Sequence, residues 1–337
     1  MKYFLLSILF VSSLNAFAQS EPKFTWDGNI PLEGVTTTDA HSENVRMDQA
    51  EILLTDQLSE NIKASIKLKL DRDLILDGAP VPQNFNFEDF IKAAHIEIKN
   101  IGGKPVAFVI GKQEIAYGFD NTMMPIPKES PVHELGVHNE VVGFTVVLDT
   151  NFQLFDKIEA SVFETKDGDL KIGTIDGYAV RFSKDVTKQI QVKASAMHLG
   201  NGDNLELGVE NRQDIGIIVQ SKDGKWTFWN ENIHFDNNPD YRDSHYAISA
   251  GLSHKLGQGQ LAIDATLIPQ TLKRVGIGYN MNLSKHVIVG AEANYTTYNA
   301  GTDLKNGMRY GVSIRYVFGG HSNADDAKNI FKNLKRK

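Results

Sequence analysis

Three short constellations carry residue types that catalysis uses, and each fails on spacing. His133-Glu134-Leu135-Gly136-Val137-His138 resembles a zinc-protease motif, but its histidines stand five apart. Two imidazoles share one helical face, and so one metal, at a spacing of four. His41, Ser42 and Asn44 are the residue types of a lipid hydrolase, yet they fall in a stretch that reads as loop. Asp236, Asp240 and Asp243 offer oxygens to calcium, but not at the spacing of a calcium loop. No phosphate-binding glycine pattern follows a strand. The chain has no cysteine, which removes thiolate metal sites, disulfides and thiol nucleophiles. These residues point to no enzyme, no metal, no cofactor and no nucleic-acid partner.

What remains is a set of charges placed at alternate positions in otherwise apolar stretches. Lys63, Lys67, Lys69, Arg181, Lys193, Arg274, Arg309 and Arg315 fall on the polar parity, against Glu51, Glu97, Glu159, Asp264 and Glu292. Side chains so placed can line a wet bore, and their positive excess favours anionic solutes although the whole chain carries a formal charge of -7.

The elements that position them are strands. In Tyr310 to Phe318, residues Tyr310, Val312, Ile314, Tyr316 and Phe318 oppose Gly311, Ser313 and Arg315. Successive strand side chains point to opposite faces, so one face is greasy with aromatic ends and the other wet. Ile62 to Leu70 and Val275 to Leu283 alternate in the same way. Val106 to Ile110 and Trp226 to Trp229 do not, being apolar on both parities.

Strand-like stretches recur at about 24-35, 46-56, 61-71, 90-99, 105-116, 140-149, 157-165, 174-184, 189-199, 212-221, 226-235, 245-256, 261-268, 273-283, 286-297 and 308-318. Short connections alternate with longer ones rich in Asp, Asn and Pro. This pattern predicts an all-β fold, a closed antiparallel transmembrane β-barrel of about sixteen strands with long extracellular loops and short periplasmic turns. The third long loop, Gly118 to Asn139, carries Pro125, Pro127 and Pro131. Folded inward it would narrow the bore, with Lys128, Glu129, His133, Glu134 and His138 at the constriction.

The ends complete the organisation. Residues 1-18 read as a signal peptide, with Lys2, an apolar run from Tyr3 to Val11 and the small-x-small site Ala16-Phe17-Ala18. Residues 19-318 form the barrel. Residues 319-337 form a basic periplasmic tail, read as solvated or as a short amphipathic helix through Ala327, Ile330, Phe331 and Leu334. This address is the bacterial outer membrane. Strand-like sequence from Phe24 leaves no room for a plug domain.

Two stretches resemble known families. Arg46 to Ile52 followed by Asn61 to Ile66 resembles the second and third strands of outer-membrane porins of the phosphate-selective O/P type and of the siderophore porin (LbtU) group. Ile110-Gly111-Lys112-Gln113-Glu114-Ile115-Ala116-Tyr117-Gly118 is similar to their glycine, polar, aromatic-glycine stretch, with Ala116 where a proline usually stands. Asp120 to Met124 and Glu134-Leu135-Gly136 also look like the siderophore porin pattern. The resemblance covers roughly residues 45 to 150. It implies a porin-type barrel, a channel for passive diffusion of small hydrophilic solutes, with uptake of ferric chelates as an alternative; the anion preference comes from the charges of the bore alone. Its implied partners are outer-membrane lipid, lipopolysaccharide, the barrel-assembly machinery and, through a homotrimer, further copies of the chain. A barrel hydrolase is the remaining alternative, which the loop placement of His41 and Ser42 disfavours.

Overall fold

A computed structural model describes residues 23–38, 43–46, 50–70, 90–115, 117–118, 135, 138–150, 154–165, 175–200, 209–238, 241, 244–299 and 306–322. The strands are β1 (Lys23–Thr37), β2 (Glu43–Arg46), β3 (Ala50–Ser59), β4 (Ile62–Leu70), β5 (Ile91–Ile98), β6 (Val106–Ile115), β7 (His138–Asp149), β8 (Lys157–Phe163) and β9 (Gly177–Thr187). They continue with β10 (Ile190–Leu199), β11 (Glu210–Gln220), β12 (Trp226–Asp236), β13 (Tyr246–Leu256), β14 (Gly259–Ile268), β15 (Leu272–Asn282), β16 (Val287–Tyr298) and β17 (Gly307–Ser322).

From β3 onward each strand pairs antiparallel with the next, and β1 closes the sheet by pairing with β17 from Phe24↔Ser322 to Thr37↔Arg309. On its other edge β1 pairs with β3 through Lys23 to Asn29 and with β2 through Glu33 to Thr36. Between those two ladders lies Pro31, which has no N–H to donate. β2 and β3 therefore share one place in the wall, and the closed barrel has sixteen, one for each predicted stretch. The last strand outruns its expected end at residue 318, because β1 extends far enough to pair Asp27 with Gly319 and Phe24 with Ser322.

The two faces differ as alternation requires. On β17, Val312 and Ile314 are 61% and 54% exposed and point outward, while Gly311 and Ser313 between them are buried. The stretches that were apolar on both parities also resolve. Trp226 and Phe228 face out, whereas Trp229 is 6% exposed and turns inward, packing with Ile218 and Ala262. Ile110 is exposed on the outside, and Val109 shares the inner face with Glu97, its cross-strand partner.

Turn chemistry holds the tight rim. Between β11 and β12, Ser221 Oγ donates to Asp223 Oδ1 at 2.5 Å and accepts from Trp226 N at 2.9 Å, while Lys225 N donates to Asp223 Oδ1 at 3.1 Å. The Ser221 hydroxyl and the Lys225 amide hold the Asp223 carboxyl below its usual range. Gly224 supplies the left-handed residue, at φ 65°. The opposite rim has one exception to its long loops, the turn Pro269-Gln270-Thr271 joining β14 to β15, with Gln270 at φ 63°.

Trp229 requires Gly251 on the neighbouring strand, because a Cβ there would overlap the indole ring. Gly251→Val should lower barrel stability by about 1–3 kcal/mol, the usual cost of overpacking, and Trp229→Ala should restore most of it. Urea titration followed by gel mobility of the folded band checks both, and an undisturbed Gly251→Val barrel would show that the indole does not lie inside.

Candidate functional site

The lumen is built by cross-strand pairs. Directly opposed residues on an antiparallel ladder place their Cβ atoms about 5 Å apart, so charges of opposite sign meet across strands. Lys63 faces Glu97 and binds it at 2.5 Å, with Lys99 adding a contact of 3.2 Å. One turn of wall higher, Lys67 reaches Glu114 at 2.6 Å and Glu51 at 3.8 Å, and Lys92 reaches Glu51 at 2.5 Å and Glu114 at 3.6 Å. On β8 and β9, Arg181 and Lys157 hold Glu159 at 2.5 Å and 2.8 Å. On β14 and β15, Arg274 holds Asp264 at 3.1 Å.

Lys63, Lys67, Lys69, Glu97, Arg181, Lys193, Arg274, Glu292, Arg309 and Arg315 all stand on the inward parity of their strands. They are not equivalent. Arg274 is 3% exposed and closed against Asp264, and Glu292 is buried, so neither presents its charge to a passing solute. Arg315 stands opposite Pro31 and has no ion-pair partner among the described residues.

The expected positive excess shrinks. Among the described residues five further carboxylates lie inside, Glu33, Glu114, Glu210, Asp214 and Glu231, against three further cations, Lys92, Lys157 and Arg212, which leaves little of it. Lys92 and Glu114 stand beside register shifts, at Lys67/Leu68 and Gln113/Ile115, where strict alternation misassigns a face. Glu210 opens β11 two residues before the expected start of that strand.

Nor is the inner face uniformly wet. At the long-loop end, Ile115, Tyr117, Val141, Phe163, Ala179, Met197 and Leu199 form one apolar cluster. Leu135, Ile233, Phe235, Tyr241, Ala247, Ile268 and Leu272 form another. Phe163, Met197, Ile233 and Phe235 stand on the inward face, where a bore would be wet, so something dry packs against them. Tyr117 and Leu135, each 2% exposed, are that something.

Both residues belong to the connection between β6 and β7. Just past β6, Gly118 N donates to Ser195 Oγ on β10 at 3.1 Å, and Ser195 Oγ donates to Asp214 Oδ2 at 3.3 Å. At the other end, the Leu135 carbonyl accepts from Arg212 Nη1 on β11 at 2.8 Å. Arg212 is itself fixed by Glu210, through Nε at 2.6 Å and Nη2 at 3.1 Å, and Asn238 donates to the same carboxylate at 2.8 Å. The connection is thus tied at two points to the inner wall. His138 is not part of it, since it opens β7 opposite Ile115. Lys128, Glu129, His133, Glu134, His41, Ser42, Asp240 and Asp243 lie outside the described residues, as do residues 1-18 and 323-337.

A closed antiparallel barrel of sixteen wall positions, with charged pairs inside and an apolar exterior, has the architecture of outer-membrane porins. No protein-family model matches the chain, and no curated protein matches it in sequence. Solved structures share its fold. A loop-deleted OmpT, an outer-membrane protein of Vibrio cholerae, superposes with a TM-score of 0.62 at 11% identity, covering 89% of this chain and 100% of that one. A substituted porin from Rh. blastica gives 0.59 at 12%, covering 88% and 100%. The anion-selective porin of Comamonas acidovorans gives 0.58 at 14%, again covering 88% and 100%.

If Arg212 is the tie that holds the connection inside, its loss should free Leu135. In this cysteine-free chain, Leu135→Cys should react slowly with a water-soluble maleimide, and adding Arg212→Met should speed labelling about tenfold or more, the worth of a charge-assisted hydrogen bond. An unchanged labelling rate would show that packing alone holds the segment.

Proposed function

We propose that this chain is a bacterial outer-membrane porin that lets small hydrophilic solutes diffuse passively, without chemistry or energy coupling. The observation that carries the reading is the tied connection, which brings Gly118 to β10 and Leu135 to β11 across the inside of a closed barrel. A segment spanning those ties narrows a bore and leaves the arc from β15 through β1 to β5 as the open side. Lys128, Glu129, His133 and Glu134 then line the constriction from the loop, while Lys63, Lys67, Lys69, Arg309 and Arg315 line the bore from the wall.

On that open arc most charges are paired, so selectivity rests on the cations in excess. Arg315, without an ion-pair partner, and the lysines of β4 and β5 favour anionic solutes modestly, since a narrow low-dielectric bore concentrates their field. That a neighbour of the same fold is described as an anion-selective porin agrees with this sign. The finer likeness to the phosphate-selective O/P and siderophore porin groups rests on residues 45 to 150. It makes ferric chelates the alternative solute, and residues 1-18 are read as the export signal. A homotrimer in outer-membrane lipid and lipopolysaccharide, inserted by the barrel-assembly machinery, completes the reading. One neighbour, OmpT of Vibrio cholerae, is described in a trimer form.

Purified protein in a planar bilayer should give stable conductance steps with a modest preference for chloride over potassium. Arg315→Glu and Lys67→Glu should each lower the anion-to-cation permeability ratio, seen as a shift in reversal potential under a salt gradient. Absence of steps at every voltage defeats the porin reading. Steps with undiminished anion preference in both variants defeat only the role of these two cations. A deletion strain slowed in uptake of one ferric chelate, and not of general nutrients, would favour the siderophore alternative.

A further inference from the structure

The tie between the inner connection and β10 ends in an acid. Asp214 stands on the inner face of β11, directly opposite Ser195, and is 4% exposed. Ser195 Oγ accepts from Gly118 N at 3.1 Å and donates to Asp214 Oδ2 at 3.3 Å, so the connection reaches the wall through the carboxyl. The other carboxyl oxygen, Oδ1, is buried with no hydrogen-bond partner among the described residues. The hydroxyl of Tyr117, a residue 2% exposed, is in the same position, and it stands in the field of Asp214.

The charges around Asp214 do not neutralise it. Its direct partner on β12 is Ile233, which carries none. Lys193 of β10 and Glu231 of β12 both stand opposite Gly216, the next inward position of β11, at a diagonal distance of about 7–8 Å. Their signs oppose each other. One inward position the other way, Arg212 is committed to Glu210 and to the Leu135 carbonyl. Arg181, opposite Ser195 on β9, is committed to Glu159 of β8. Asp214 thus has no ion-pair partner among the described residues.

An ionised carboxylate buried without a pairing cation is costly, and such a group takes up a proton instead. A protonated carboxyl has an O–H to give, and the phenol oxygen of Tyr117 is an acceptor that nothing else meets. The closed tie and the proton therefore favour each other. A connection lifted from the wall lets water reach Asp214, and the charge returns.

We propose that Asp214 is a proton-operated latch on the constriction: protonated, it holds the connection against β10 and keeps the bore narrow, and loss of that proton releases the Tyr117–Gly118 end and widens it. The effect on conduction rests on the porin reading, whereas the latch itself does not. The sign follows from linkage. The tied state holds a proton that the released state gives up, so the tie is complete on the acid side and weakens as pH rises, by up to about tenfold in its equilibrium for each pH unit.

In a planar bilayer, wild-type channels should pass from smaller to larger conductance steps as pH is raised. Asp214→Asn keeps an acceptor for Ser195 and offers an N–H in place of the acid's O–H, so it should hold the smaller step at every pH. Ser195→Ala should show the larger step even in acid. Glu231→Gln, which removes a like charge, should move the wild-type transition to lower pH. Amide hydrogen exchange at Gly118, compared between wild type and Asp214→Asn at one pH, reads the latch without conduction. The two should match in acid, and in alkali the wild-type amide should exchange about tenfold faster or more. The proposal is overturned by a wild-type step indifferent to pH, by an Asp214→Asn channel that keeps the wild-type response, or by equal exchange throughout. Release that follows calcium concentration instead of pH would put a bound cation at Asp214 and overturn it as well. Absence of steps in every protein, with the exchange difference intact, defeats the porin reading and supports the latch.

Discussion

Hydrocarbon offers no partner to a backbone N–H or C=O, and this constraint orders the whole molecule. A strand in lipid needs a neighbour on both edges, so the sheet must close, and closure falls on β1. It pairs along its whole length with β17 on one edge and divides its other edge between β2 and β3. Pro31 falls where that second edge passes from one partner to the other, and there a missing donor leaves no orphaned ladder bond. Closure also dictates the ending, since β17 runs on to Ser322 for as long as β1 remains opposite it.

Much of this was legible because the bilayer writes it in period two. All sixteen wall places correspond to a stretch that could be marked from alternation and turn residues, with ends displaced by a few residues. Alternation fails where its assumption fails. Gln113/Ile115 and Lys67/Leu68 are register shifts, after which parity no longer names the face, and Glu114 and Lys92 were lost there. Trp226 to Trp229 was ambiguous because both faces want an aromatic, the outer one at the membrane boundary and the inner one over Gly251.

The lumen was legible in position but not in balance. Parity places a charge inside without saying whether another closes on it. Asp264 and Arg274 illustrate the difference: ten residues apart in sequence, they meet across a ladder and vanish from the surface together. The network of Glu51, Lys67, Lys92 and Glu114 is assembled from four strands, so no local pattern could announce it. Such pairing has a physical purpose in a bore, because isolated charges in a narrow low-dielectric passage would bind a counter-ion too strongly to release it. Paired charges keep the wall wet while leaving a small residual field to sort solutes.

Residues that break the pattern inform more than those that keep it. Phe163, Met197, Ile233 and Phe235 are greasy on the inward face, and each packs in one of the clusters that bury Tyr117 or Leu135. Their misplacement is the imprint of a chain segment brought inside from the other end of two hydrogen-bonded ties. Asn230 and Asn232 are the mirror case, polar on the outward face of β12 between Ile217, Ile215, Ala250 and Ile248. The inner violation is resolved by a loop of the same chain. The outer one is eased within the wall itself, where Asn232 Nδ2 donates to Asn230 Oδ1 and Asn230 Nδ2 donates to the Ser249 carbonyl, since an amide among apolar side chains needs a partner on an exterior wall as much as on an interior one.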